Sequence, residues 1–167
     1  MGELEPPDRF YLQAATGWLE LGNATAAGEE LDQIQPLLHS HPDVLEMRFQ
    51  VYAAAQQWDE AWRIAQTLVL EVPDRVGSWI HAGYSARRAT GGTLQAAYNN
   101  LLPAAKRHPE EPLVPFNLAC YTCQLGKLEE ARDWLKIAFS LAHKRNLQAL
   151  ALAETDLQPL WPEIEKL

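Results

Sequence analysis

The chain has 167 residues, 47% of them hydrophobic and 22% charged, which is apolar enough to bury a core and too apolar for a disordered segment. A formal charge of -8 and an isoelectric point near 5.1 argue against a nucleic-acid partner, because phosphate binding draws its affinity from clustered Lys and Arg. No run of about 18 apolar residues occurs and no apolar stretch follows the acidic, Pro-containing opening Met1 to Asp8, so neither a membrane span nor a signal peptide is expected and the default address is the cytoplasm.

Taken in chain order, the first helix is expected over residues 8–21, where Tyr11, Ala14, Ala15 and Trp18 recur at helical spacing and Gly22-Asn23 supplies the stop. The second, 25–38, carries Ala27, Leu31 and Ile34. It also contains Pro36, and an interior proline costs about 3 kcal/mol and bends the axis. Pro42 stops that helix, and the next is expected over 43–56, ended by Gln56-Gln57. A fourth, 59–71, follows with Ala61, Ala65 and Leu68 and stops before Pro73. Helices at 76–89 and 94–107 flank the longer turn Thr90-Gly91-Gly92-Thr93, and Pro103 predicts a bend in the later one. The pair 112–125 and 128–141 meets at Gly126-Lys127, and two short helices, 146–153 and 157–166, complete the map. No segment alternates apolar and polar residues over a strand's length, so the expected class is all-α.

These helices repeat as pairs. Ala27, Ala61, Ala97 and Ala131 are separated by 34, 36 and 34 positions, and each is followed at matching offsets by two apolar residues: Leu31 and Ile34, Ala65 and Leu68, Leu101 and Ala104, Leu135 and Ala138. Such a period marks an α-solenoid, in which each helical hairpin buries its apolar face only against its neighbours. Four units are expected, over residues 8–41, 42–75, 76–111 and 112–145, within one domain spanning 1–167. Residues 146–167 read as a cap, with Leu147, Leu150, Ala151, Leu157, Leu160 and Trp161 covering the open apolar end and Glu154, Glu163, Glu165 and Lys166 facing water.

The run Trp79-Ile-His-Ala82-Gly83-Tyr-Ser-Ala86, and Leu118-Ala119 followed by Gly126, Ala131, Leu135 and Ala138, resemble the tetratricopeptide repeat family. Tyr11, Ala14, Ala15 and Trp18 occupy the same places in the first unit, as do Tyr52, Trp58, Ala61 and Pro73 in the second. The second unit departs at Arg48 and Phe49, where a Leu and a small residue are expected. The resemblance implies a right-handed superhelix whose first helices line a concave groove for extended peptides or partner helices. One ladder residue per unit then faces or borders that groove: Leu12, Glu46, Ile80 and Phe116; Gln13, Met47, His81 and Asn117; Thr16, Gln50, Tyr84 and Cys120; Leu19, Ala53, Arg87 and Cys123.

The later half of the groove gathers flat apolar anchors and hydrogen-bonding heads, so the candidate peptide-binding residues are Ile80, His81, Tyr84, Arg87, Arg88, Phe116, Asn117 and Cys120. The Arg87-Arg88 pair in an acidic protein suggests a partner bearing Asp, Glu or a terminal carboxylate; the other reading is a solvated face or pairing within the chain. Family members that grip the C-terminal carboxylate of heat-shock chaperones use Lys, Asn and Arg on these ladders. Here Leu12, Thr16, Met47, Gly77 and His81 stand there, and that specificity is not carried over.

Catalytic readings are thin. Cys120 and Cys123 share a helix face, yet zinc needs about four ligands and no second Cys pair is present, so packed structural cysteines are expected. His39-Ser-His41 with Asp43 reads as an exposed turn rather than a metal site. No phosphate loop, nucleophile elbow or zinc-protease helix occurs. The sequence therefore points to a non-enzymatic scaffold or adaptor without cofactor, metal, nucleic acid or membrane, binding a protein or peptide partner. The alternative is self-assembly into a homo-oligomer through the array ends or groove.

Overall fold

Ala27, Ala61, Ala97 and Ala131 have no exposed surface in the computed structural model, which describes residues 2–142 and 144–166 with the side chains of Lys144 and Arg145 left out. His143, inside the expected fourth unit, lies outside the described residues. The apolar followers Leu31, Leu68, Leu101, Ala104 and Ala138 are equally covered. The period therefore marks the contact seam, where small side chains let paired helices approach closely.

Four hairpins result: α1 (Asp8–Glu20) with α2 (Ala24–Asp32), α3 (Pro42–Ala54) with α4 (Trp58–Glu71), α5 (Val76–Ala86) with α6 (Leu94–Arg107), and α7 (Leu113–Gln124) with α8 (Leu128–Leu141). The second helix of each hairpin also packs on the first helix of the next, which makes the molecule an all-α solenoid. Among the described residues no strand occurs. The C-terminal cap is α9 (Lys144–Ala153), a 3-10 segment Thr155–Leu160 and α10 (Trp161–Ile164).

Three hairpin turns use the same device. Gly22, Gln56 and Gly126 have φ of 75°, 56° and 76°, and the next residue donates its N–H five positions back, from Asn23 to Trp18, Gln57 to Tyr52 and Lys127 to Thr122. This left-handed stop satisfies carbonyls that the helix end would orphan. Gln56 adopts it without being glycine, a conformation that disfavours an L residue by about 1–2 kcal/mol. The third turn is longer. A Cβ on Gly92 would collide with the carbonyl oxygens of Ala86 and Ala89, so this residue must be glycine. The Asp59 carboxylate ties the turn down, accepting from the Thr90 N–H at 2.6 Å and the Thr90 hydroxyl at 2.7 Å.

Pro36 ends its helix rather than bending it. The expected helix over 25–38 stops at Asp32, and Pro36–Leu38 forms a separate 3-10 turn. Pro36 cannot donate to the carbonyl four residues earlier, and Gln35 before it is extended at φ -52° and ψ 134°. The released groups find other partners: Arg48 donates to the Leu31 carbonyl and the Asp32 carboxylate, while buried Asp8 accepts from the Gln35 N–H at 2.8 Å and its side-chain amide at 3.0 Å. Arg48 thus serves as a cap at the place where a leucine was expected. By contrast α6 runs through Pro103, which lies on the exposed side with Asn99, so the carbonyl deprived of its donor faces solvent.

Gly83 lies in a tight seam where α5 meets α6 and Tyr121 of α7. An added Cβ there would sit 3.2 Å from the Leu101 Cβ, 3.3 Å from the Ala97 carbonyl oxygen and 3.3 Å from the Tyr121 hydroxyl. A Gly83→Val variant overpacks this seam and should lose about 1–3 kcal/mol in chemical denaturation. Asp59→Asn tests the turn. The Thr90 hydrogen bonds, backbone first, hold the Asp59 carboxyl below its ordinary pKa, so its contribution is complete above pH 3.8 and fades as pH falls through the lowered native value. The variant should be less stable than the parent at pH 7 and converge on it in strong acid.

Candidate functional site

The first helices place the ladder side chains in sequence along one face, and burial rises toward the C-terminal end. Gln13, Thr16 and Gln50 are exposed, Tyr84 is 40% exposed, and Phe116 and Cys120 are only 5% and 3% exposed. The cap causes this gradient. The 3-10 segment crosses α7, and Leu157 and Leu160 join one core cluster with Phe116, Cys120 and Cys123. Phe116 and Cys120, expected on the open groove, are therefore covered by their own chain.

The same segment engages Arg87, whose Nη1 meets the Asp156 carboxylate at 2.6 Å, while the Gln124 side chain donates to the Asp156 carbonyl at 3.0 Å. Burial opposes the guanidinium charge, but the hydrogen bond and charge of Asp156 outweigh it and raise the Arg87 pKa. Of the two readings of the arginine pair, pairing within the chain holds for Arg87.

Arg88 differs. Its guanidinium lies 3.5 Å from the centroid of the Tyr84 ring and 5.3 Å from that of Trp58, and it donates to the Tyr84 carbonyl at 2.8 Å. Trp58, at the start of α4, meets Tyr84 edge-on at 5.6 Å with the planes at 66°. These contacts hold Tyr84 upright while leaving it partly open. Among the described residues Arg88 forms no ion pair. Trp58 belongs to α4 and Tyr84 to α5, so the two meet at the junction between repeats, and Trp58 is at the same time partly buried against the core cluster of the second hairpin.

His81 and Phe49 settle the irregular second unit. Their rings stack at 3.9 Å and 21°, and His81 Nε2 stands 2.5 Å from a Glu46 carboxylate oxygen. Phe49 is buried, filling space that a small residue would leave empty. Burial raises the Glu46 pKa, yet the hydrogen bond and charge of His81, with Gln50 and Arg75 beyond, lower it overall. His81 is thereby committed to Glu46. Ile80 is half-buried against the seam between α5, α6 and α7, and the Asn117 amide donates to the Leu113 carbonyl at 2.7 Å.

What stays open is a cavity of about 220 Å³ between Tyr84, Arg87, Arg88 and Asn117 on one side and Glu154, Thr155 and Asp156 on the other. It holds two guanidinium and two carboxyl groups, three of them committed locally, since Glu154 accepts from the Asp156 N–H at 3.2 Å. The thiols carry no activation. Burial raises the Cys120 pKa far above the ordinary range, with Glu154 and Asp156 adding to it, and Cys123 is raised by burial and Asp156.

The histidines at the first inter-repeat turn are structural. His41, expected on an exposed turn, is buried, its Nδ1 accepting from the Asp43 N–H and its Nε2 lying 2.9 Å from the Gly2 carbonyl; His39 Nε2 lies 2.8 Å from the Ile34 carbonyl. Among the described residues no cluster of three or more His, Cys, Asp or Glu side chains is placed to hold a metal, and no helix is long and apolar enough to cross a membrane.

No family model matches the chain and no curated protein matches it. Solved structures do. A double mutant of MamA RS-1 superposes with a TM-score of 0.70 at 15% identity, covering 83% of this chain and 76% of that one. A second MamA crystal structure gives 0.69 at 15% identity over 95% and 86%, and MamA AMB-1 gives 0.64 at 20% over 95% and 88%. At these identities the likeness concerns the fold alone, a helical solenoid.

The Arg87–Asp156 pair is partly screened, so Asp156→Asn should cost about 1–2 kcal/mol. Hydrogen exchange is the sharper readout: amides over 154–160 should exchange faster in the variant while those of α3 and α4 stay unchanged.

Proposed function

We propose that the chain is a non-enzymatic interaction module that holds an extended segment of a protein partner against its first helices, centred on Tyr84. The observation that carries this reading is the Trp58–Tyr84–Arg88 group: a half-open aromatic ring, fixed from two sides, beside a guanidinium with no carboxylate partner among the described residues. A flat ring that loses little conformational freedom on binding is the usual anchor of an interface hot spot.

The chemistry expected of the partner follows from what is uncommitted. An apolar or aromatic side chain covers Tyr84, and an Asp, Glu or terminal carboxylate reaches Arg88, where bidentate pairing gives orientation as well as energy. Asn117 keeps its amide oxygen and second N–H for the partner backbone, its first N–H being held by the Leu113 carbonyl. Arg87, Phe116 and Cys120 are left out of the contact set because the chain's own C-terminal segment occupies them. His81 and Ile80 support the surface from beneath.

Peptides selected on the immobilised protein from a random display library test this directly. Those recovered should be enriched in an acidic residue near an apolar one. In fluorescence anisotropy Tyr84→Ala and Arg88→Glu should each weaken them about 10- to 100-fold, equal to about 1.4–2.7 kcal/mol, with unchanged helicity. Peptides that bind both variants as tightly as the parent would place the contact on another face.

A further inference from the structure

The residue that follows the seam alanine is large in three units and absent as a side chain in one. Trp62, Tyr98 and Arg132 stand after Ala61, Ala97 and Ala131, whereas Gly28 stands after Ala27. Two of the large ones visibly reach the element that comes next in the array. The Tyr98 hydroxyl donates to Glu130 of α8 at 2.6 Å, and the Arg132 guanidinium is held by both oxygens of Glu163 in the cap at 2.8 Å.

At Gly28 a cavity of about 310 Å³ opens instead between α2 and α3, with Leu31, Val51 and Tyr52 among its walls. Packing does not call for the glycine. It lies within α2, and a Cβ there would stand 3.7 Å from the Val51 Cγ1, an ordinary contact. Glycine is also a poor helix former, so its presence weakens α2 while keeping the cavity open.

Charge specifies what enters. The lining carries Arg48, Asp32 and Glu29. Arg48 is committed, donating to the Leu31 carbonyl at 3.1 Å and to the Asp32 carboxylate at 3.0 Å. With that pair neutral, exposed Glu29 is the unbalanced charge, and among the described residues it forms no ion pair. The fourth unit shows which side chain suits this repeat position beside a carboxylate, since there a guanidinium is gripped by a glutamate. A guanidinium is more weakly hydrated than an ammonium and leaves water more readily for apolar walls, and a chain of net charge -8 draws cations toward it.

We propose that the α2–α3 cavity takes an arginine side chain of a protein partner, its guanidinium on Glu29 and its methylenes against Gly28, Val51 and Tyr52. The site belongs to the junction of the first two units and is separate from the Tyr84 contact, so either stands without the other.

Nuclear magnetic resonance titration of the whole chain at low salt, with N-acetyl-arginine N-methylamide as the probe, provides the test. The backbone amides of Gly28, Glu29, Val51 and Tyr52 should shift along a saturable curve. The lysine counterpart, equal in charge but without the planar fork, and the phenylalanine counterpart should each bind at least about tenfold more weakly. Gly28→Trp, which closes the cavity, should abolish the shifts. Glu29→Gln removes no packing and should weaken the arginine probe about 5- to 10-fold with unchanged far-ultraviolet circular dichroism, which carries the test should the Gly28 variant lose helicity. No saturable shift, a lysine or phenylalanine probe that binds as tightly as the arginine one, a folded Gly28→Trp that still binds, or an unaffected Glu29→Gln overturns the proposal. Tyr84→Ala should titrate as the parent does, and loss of binding there would move the contact to the groove and overturn it equally.

Discussion

The structure depends on the close approach of two helices across an alanine with no exposed surface. Ala27, Ala61, Ala97 and Ala131 set how near the second helix of each hairpin comes to the first, and Gly83 lets one seam come nearer still. A two-helix unit with so small a seam cannot close a core by itself. Each of the four core clusters therefore draws on neighbouring elements, as when Val44, Met47 and Val51 of α3 join Ala15, Ala27 and Leu31 of the first hairpin. Stability in such an array is a sum of neighbour couplings, so every unit needs something on its far side.

That requirement explains the cap. The fourth hairpin has no fifth to lean on, and Leu147, Ala151, Leu157, Leu160 and Ile164 supply the missing surface. Burying the leucine and isoleucine side chains is worth about 1.5–3 kcal/mol each, which makes the C-terminal segment a fixed part of the last repeat rather than a displaceable strap. Covering the hairpin and narrowing the groove are then one event. The segment that shields α7 also puts Asp156 against Arg87 and Leu157 and Leu160 over Phe116 and Cys120.

The period made the helix pairs legible because it records contacts between near neighbours. The starts of α4, α6 and α8 fall within one residue of expectation, and the left-handed stops at Gly22 and Gly126 are where glycine chemistry puts them. Local chemistry alone could not decide Pro36. Bending and termination differ in whether the released groups find partners, and those partners, Arg48 and Asp8, stand 17 and 27 residues away from the groups they satisfy. Of the residues expected on the groove, Tyr84 is partly exposed. The fates of Arg87 and Phe116 were set by a segment outside the repeat, with Asp156 lying 69 residues from Arg87, and no periodic signal points that far.

The cap also changes the electrostatic character of the groove. Read from the ladders, Arg87 and Arg88 make a doubly cationic floor able to draw in any acidic chain. With Asp156 and Glu154 in place the same cavity balances two cations against two carboxyl groups, and general attraction disappears. In the proposed peptide contact, discrimination would then come from geometry: one guanidinium, fixed over one ring, would take a carboxylate only beside a side chain that covers Tyr84, and a charge out of register would meet Glu154 instead. In a protein of net charge -8 this is a consistent arrangement, since long-range fields repel acidic chains and only a short-range, correctly spaced contact repays the approach.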